Sequence, residues 1–142
     1  MQIQLHDVPE ELENAVRETI KECGAVEPLW FSDGAKRYFI INDSDAILGV
    51  VNIRPNMDNQ HVRTWAGNIE MIIKPEYRGQ GCGKATLKLA LKKCKEIGLK
   101  QVLLTNIGES ESIEHLILSC GAVLERVDIK DSIKVSRYWV EV

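Results

Sequence analysis

No two of the four cysteines, Cys23, Cys82, Cys94 and Cys120, stand in a CxxC pair, and the three histidines lie far apart. That absence removes the spacings by which short sequences build zinc sites or disulfide frameworks. The thiols read as free and buried, as in a reducing compartment. Basic charge is not in excess either. The chain has 18 Lys and Arg against 21 Asp and Glu, a net charge of −3, so no long-range pull on nucleic acid or anionic lipid is expected. No apolar run approaches the roughly 18 residues of a membrane helix. The start, Met1 to Val16, lacks the basic and apolar stretches of a signal peptide. A cytoplasmic location is the default expectation. Repeats, Pro- or Ser-rich linkers and low-complexity segments are also missing. The 142 residues therefore read as one domain, 1–142, long enough to bury its own core.

Periodicity supplies the elements. Residues 2–6 suit a short strand. Asp7 and Pro9 suit a helix start, with Glu10 placed as in a capping box. Val8, Leu12, Ala15, Val16, Ile20 and Cys23 recur at helical spacing, and Gly24 marks the stop. Residues 25–34 show no period, although Leu29, Trp30 and Phe31 suit a cover over something apolar. Arg37–Ile41 and Ala46–Ile53 form a hairpin around the Asn42-Asp43-Ser44-Asp45 turn. Residues 55–61 read as a polar loop, and 67–73 as a strand ended by Pro75. Residues 83–97 are the clearest helix, with Leu87, Ala90, Leu91, Cys94 and Ile97 in one stripe. A strand over 101–105 follows. Ser110 then caps a helix whose Ile113, Leu116, Ile117 and Cys120 share a face. Strands over 122–129 and 134–140 close the chain. The order β-α-β-β-β-α-β-α-β-β predicts a mixed α/β (α+β) domain with at least one parallel crossover.

The informative segment is Ile72-Ile73-Lys74-Pro75-Glu76-Tyr77-Arg78-Gly79-Gln80-Gly81-Cys82-Gly83-Lys84. A strand runs into a glycine-rich turn that opens a helix. The first N–H groups of a helix have no partner within it and sit at the positive end of its dipole. Together they suit a phosphate. Gly79, Gly81 and Gly83 allow close approach, and Arg78 and Lys84 add charge at either end. A Walker A loop fails here, because position 78 is Arg and position 85 is Ala. A dinucleotide fingerprint fails because the spacing is GxGxG. Arg-x-x-Gly-x-Gly remains, and a ligand-free glycine loop fits the spacing as well.

This segment resembles the "V-x-P-E-Y-R-G-x-G-x-G" motif of the GNAT (general-control-related N-acetyltransferase) superfamily. Ile47 to Arg54 resembles its hydrophobic-Gly-hydrophobic central strand, and Ile113 to Leu124 its helix ending in Cys-Gly. Arg137-Tyr138-Trp139-Val140 resembles an ending seen in a bacterial subgroup of acetyltransferases. The resemblance spans roughly residues 35–142. It implies a mostly antiparallel sheet with a splayed parallel pair at its centre, here 67–73 and 101–105. It implies acetyl-CoA as co-substrate, with the pyrophosphate on the amides of Gly79, Gln80, Gly81, Cys82, Gly83 and Lys84. Pantetheine would pair along Met71, Ile72 and Ile73, and an N–H near Ile73 would hold the oxyanion. An amine acceptor would attack directly, with no metal and no covalent enzyme intermediate.

Glu70, on the cleft strand, is the first candidate base, because partial burial suits a carboxylate to that role. An ordinary ion pair is the competing reading. The family's tyrosine acid falls at Ile117, a departure that leaves Tyr138 as the substitute. The family's asparagine in the same segment falls at Ser110. His115 reads as solvent-facing and Cys120 as core. Lys84, Lys88 and Lys92 share a solvated face, although Lys84 also suits phosphate. Arg54, His61, Arg63 and Trp65 border a loop able to shape an acceptor pocket. Tyr138 and Trp139 suit sheet packing or a homodimer contact. The main expectation is an N-acetyltransferase acting on the amine of a small molecule, a peptide or a protein. A non-catalytic acyl-CoA sensor is the alternative, and a ligand-free interaction domain is a third class.

Overall fold

The computed structural model describes residues 2–22, 34–58, 60 and 62–142. The expected helix end at Cys23 and Gly24, the cover at Leu29, Trp30 and Phe31, and His61 lie outside the described residues. Along the chain come β1 (Gln4–Asp7), a 3-10 turn (Glu10–Leu12), α1 (Glu13–Glu22), β2 (Lys36–Ile41) and β3 (Ile47–Ile53). A π-helical turn (Val62–Ala66) precedes β4 (Ile69–Ile73), and a second 3-10 turn (Pro75–Tyr77) leads into α2 (Cys82–Glu96). Then follow β5 (Gln101–Ile107), α3 (Glu111–Ser119), β6 (Val123–Lys130) and β7 (Ile133–Glu141). This is the order that periodicity predicts.

Two departures concern the element ends. Asp7 does not cap the first helix. It is the last residue of β1, paired with Tyr38, and Pro9 stands at the cap position with no side-chain bond. The strand ladder takes the residue that the capping pattern claims. The polar loop after β3 runs into the π-helical turn, which no apolar period announces. Ser110 does cap α3, its Oγ accepting from Ile113 N at 3.3 Å.

The strands form two antiparallel sheets, β1-β2-β3-β4 and β5-β7-β6. β4-α2-β5 is the crossover between them, and α2 lays its apolar face across both. Leu87, Ala90 and Cys94 from α2 meet Val51, Ile53 and Ile69 from the first sheet and Val102, Leu104 and Val140 from the second. Each large aliphatic side chain so buried contributes about 1.5–3 kcal/mol relative to exposure. α1 covers the other face of the first sheet, where Val16 and Ile20 pack on Phe39 and Val50. Gly49 sits where β3 passes β4. A Cβ there would run into the Ile72 carbonyl, so the glycine of the central strand is a close-approach residue.

Candidate active site

The glycine turn is built as a strand-to-helix corner. Gly79 and Gly81 both take left-handed φ, +76° and +82°. Gly81 is the N-cap of α2 and offers no side-chain oxygen. The first bond of the helix runs from Ala85 N to Gly81 O at 3.3 Å. Among the described residues no acceptor is within hydrogen-bonding reach of the N–H groups from Gly79 to Lys84. A Cβ at Gly79 or Gly81 would meet nothing within 4 Å, so the turn opens onto free space. Arg78 is exposed, yet its Nε donates to Ile73 O at 2.9 Å. That bond ties the turn back to the end of β4.

The turn closes one end of a cleft of about 730 Å³ between β4 and β5. Glu70, Met71, Ile72 and Ile73 line one wall, Leu104, Thr105 and Ile107 the other, and Leu116 and Ile117 of α3 lie beside them. The cleft exists because β4 and β5 belong to different sheets. Their junction is Asn68. Its N donates to Leu103 O at 2.9 Å, and its Oδ1 accepts from Leu103 N at 2.7 Å. Its Nδ2 donates to Arg54 O at 2.8 Å. One buried amide thus acts as a rung of ladder between the two sheets, and beyond it the strands separate.

The ladder also fixes which backbone groups face the cleft. Arg54 N donates to Asn68 O, and Lys74 N to Leu48 O, both at 2.7 Å. Antiparallel pairing alternates, so residues 68, 70, 72 and 74 bond to β3 while 69, 71 and 73 turn toward the cleft. Ile73 O is taken by Arg78, which leaves Ile73 N and both polar groups of Met71 facing the cleft.

Glu70 points to the opposite face from Met71. Its Oε1 accepts from Arg54 Nη2 at 2.7 Å. Arg54 is 1% exposed and Glu70 30% exposed, so a buried cation holds a carboxylate that still reaches the cleft. Beside it the π-helical turn presents Trp65 and Ala66 to the same cavity. Thr105 Oγ1 donates to Trp65 O at 2.6 Å, and Arg137 Nη1 donates to Arg63 O. π-type turns of this kind are common at functional sites.

Of the residues expected at the site, Glu70, Met71, Ile72, Ile73, Arg78, Gly79, Gly81, Cys82, Gly83 and Ser110 line the cleft. Gln80 and Lys84 belong to the turn but point to solvent, and Gln80 Nε2 donates back to Glu76 O at 3.1 Å. Tyr138 is not among the lining residues. It is buried in β7 opposite Leu104. Burial first, then the Glu114 carboxylate, push its phenol above the ordinary tyrosine value. Ile117 does line the cleft, so no phenol stands at that point of the wall. His115 is exposed, and Cys120 is half buried with its Sγ on Ile117 O at 3.0 Å.

In the sequence Arg54 stands at a loop border, and Asn68, Thr105 and Arg137 carry no local sign of their bonds across the site. An arginine closing an apolar strand, two residues after Asn52, was the available sign of a buried cation. Asn68 gave no such sign, because its partners are backbone atoms 14 and 35 positions away. Among the described residues no three His, Cys, Asp or Glu side chains group as metal ligands, and no helix is long and apolar enough to cross a membrane.

No curated protein matches the chain in sequence. Among solved structures, it is similar to mutant forms of the spermidine/spermine N-acetyltransferase SpeG from Vibrio cholerae. The TM-score is 0.80 at 14% identity, over 99% of this chain and 94% of that one. A dodecameric structure of the Vibrio cholerae spermidine N-acetyltransferase gives 0.79 at 16% identity, over 99% and 94%. A structure described as a putative phosphinothricin N-acetyltransferase gives 0.74 at 13% identity, over 99% of each chain. At these identities the likeness establishes the fold. The sequence model described as "Acetyltransferase (GNAT) family" matches residues 4–115. The chain therefore belongs to the GNAT family of acetyltransferases.

Proposed function

We propose that this chain transfers the acetyl group of acetyl-CoA to a primary amine of a small molecule or peptide, by direct attack within a ternary complex. The observation that carries the reading is the row of uncapped amides from Gly79 to Lys84, at the end of a cleft whose wall is the free edge of β4. A diphosphate satisfies those amides at the positive end of α2, with Arg78 alongside. The pantetheine amides extend the β4 edge through Met71 and Ile73. Ile73 N then donates to the thioester oxygen, and the bond strengthens as negative charge develops there.

The amine nitrogen attacks the thioester carbonyl carbon. The N–C bond forms, the C–S bond breaks, and the sulfur leaves as thiolate. Glu70 accepts the ammonium proton, directly or through one water, at Oε2, the oxygen not bonded to Arg54. Tyr138 is outside the lining, so the thiolate takes its proton from another donor at the cleft or from solvent. The spermidine acetyltransferase structures that the chain resembles make a polyamine a sensible first acceptor to assay.

Ile117 supports one rival, a domain that binds acyl-CoA without turning it over, because it leaves the position of the family's tyrosine acid without a proton donor. Two measurements separate the readings. Saturating acetyl-CoA raises the melting temperature of a domain that binds it in the native state, and the Gly81→Val variant loses this shift while still folding. Thiol release with a panel of amines then reports transfer. A melting shift without thiol release against any amine establishes the rival, and no shift at all removes both readings.

A further inference from the structure

β4 runs from the π-helical turn to the glycine turn, and its five residues span about 16 Å. The two turns therefore bound opposite ends of the cleft. The diphosphate end of the donor belongs at the glycine turn, so the amine belongs at the other end, where Trp65 and Ala66 stand with Glu70. A turn of five residues, Val62–Ala66, is too short to hold itself, and the last carbonyls of a helix lack partners within it. Two of them are held from the second sheet. Thr105 Oγ1 donates to Trp65 O at 2.6 Å, and Arg137 Nη1 donates to Arg63 O. Thr105 and Arg137 stand opposite each other on β5 and β7. One cross-strand pair thus grips two carbonyls that lie two residues apart. Arg137 is 7% exposed, and it shares its face of the sheet with Leu103 and Val135, both fully buried. An apolar side chain fits such a face at less cost than a guanidinium, which must be paired when buried. The pairing comes from a bulge. Glu125 falls where the β6–β7 register slips between Leu124 and Arg126, and bulges re-aim side chains. Its Oε2 accepts from Arg137 Nε at 3.3 Å and from Trp139 Nε1 at 3.0 Å.

We propose, resting on the acetyl-transfer reading above, that Glu125, Arg137 and Thr105 are positioning residues for the amine acceptor. They fix the π-helical turn so that Trp65 forms the acceptor end of the cleft. Glu125 and Arg137 are not among the lining residues, so they act through the turn and not on the amine. The order of contacts is Glu125 carboxylate, Arg137 guanidinium, Arg63 carbonyl, then the Trp65 side chain two residues on. Thr105 is the second prong of the same clamp, and it holds the carbonyl of Trp65 itself. The donor side of the cleft does not share these supports. Its glycine turn is tied back to β4 by Arg78 on Ile73 O. Loosening the clamp therefore weakens the hold on the amine and leaves the hold on acetyl-CoA.

Two measurements on the full chain test this. The first is fluorine NMR after labelling with 5-fluorotryptophan, with the Trp65 line assigned by its loss in Trp65→Phe. Arg137→Met and Glu125→Ala shift or broaden that line, and Glu125→Gln, which keeps an acceptor for Arg137 Nε, restores it. Thr105→Val, which removes only the hydroxyl donor, does the same as Arg137→Met and serves if that variant folds poorly. The second is steady-state thiol release with spermidine as the first amine tried, or with the amine of the panel that reacts fastest. In Arg137→Met the KM for the amine rises about tenfold, while kcat stays within about twofold and the acetyl-CoA melting shift is unchanged. Glu125→Gln recovers most of the KM that Glu125→Ala loses. A Trp65 line unmoved by both Arg137→Met and Thr105→Val overturns the proposal. So does a KM for acetyl-CoA that rises in step with the KM for the amine, since that is general loosening and not positioning. A wild-type chain that releases no thiol with any amine overturns the transfer reading and the acceptor role with it, and the fluorine line then decides the clamp by itself.

Discussion

Glu70 is fixed at one oxygen by Arg54 and open at the other. That arrangement separates two substitutions that would otherwise look alike. Glu70→Gln keeps an acceptor for Arg54 but cannot take a proton, so turnover falls about 10²–10⁴-fold while the acetyl-CoA melting shift stays. Steady-state kinetics beside thermal shift checks this, and an unchanged rate removes Glu70 from the mechanism. Arg54→Met acts differently. It removes a fully buried cation and leaves the carboxylate without its anchor. Expected are a loss of about 1–3 kcal/mol in urea unfolding, small because Glu70 reaches solvent, and a raised KM for the amine. Cys94 gives a pH signature. Burial pushes its thiol from 9.0 up to about 11. The folded state therefore holds the proton more tightly than the unfolded chain. The associated stability is complete below pH 9 and is lost as pH rises to about 11, where it amounts to about 2–3 kcal/mol. Cys94→Ala starts less stable but declines less steeply over that window, as melting temperatures from pH 8 to 11 would record. Equal slopes in the two proteins would show that Cys94 does not carry the effect.

The cleft depends on how two strands are joined, and the joint is one residue, Asn68, through its backbone N–H and its side chain. Asn68→Ala leaves Leu103 N and Arg54 O without their buried partners, at a cost of about 2–4 kcal/mol for two such groups. Hydrogen exchange at Leu103 should speed up before exchange in β2 and β3 does, and uniform protection across both sheets would refute the joint. This part of the site was the least legible in the sequence. The turn from Arg78 to Lys84 was legible because its chemistry is local: glycine φ, uncapped amides and nearby charge all lie within seven residues. The apolar stripe of α2 was legible from its period, and the element order followed from it. Asn68, Thr105 and the π-helical turn were not, because their bonds go to backbone atoms of β3 and β5 and leave no periodic or compositional mark. Asp7 misled for a related reason. A capping pattern is a local preference, and pairing with Tyr38 outweighs it.

Two sheets joined at one asparagine suggest two units able to unfold separately, but the core argues against that division. Leu87, Ala90 and Cys94 of α2 are shared between Val51, Ile53 and Ile69 on one side and Val102, Leu104 and Val140 on the other. Neither sheet can shed α2 without exposing the apolar face that the other also uses. Separating the two sheets would uncover side chains worth about 1.5–3 kcal/mol each, comparable in sum to the whole stability of a domain this size. The chain should therefore unfold as one cooperative unit. Urea transitions followed by far-ultraviolet circular dichroism, which sees both sheets, and by fluorescence of the three tryptophans, among them Trp65 at the cleft and Trp139 in the second sheet, should coincide. Acetyl-CoA, bound between β4 and β5 as proposed, should move both transitions together to higher urea. Transitions that separate, or a ligand that shifts only one of them, would mean that α2 belongs to one sheet alone.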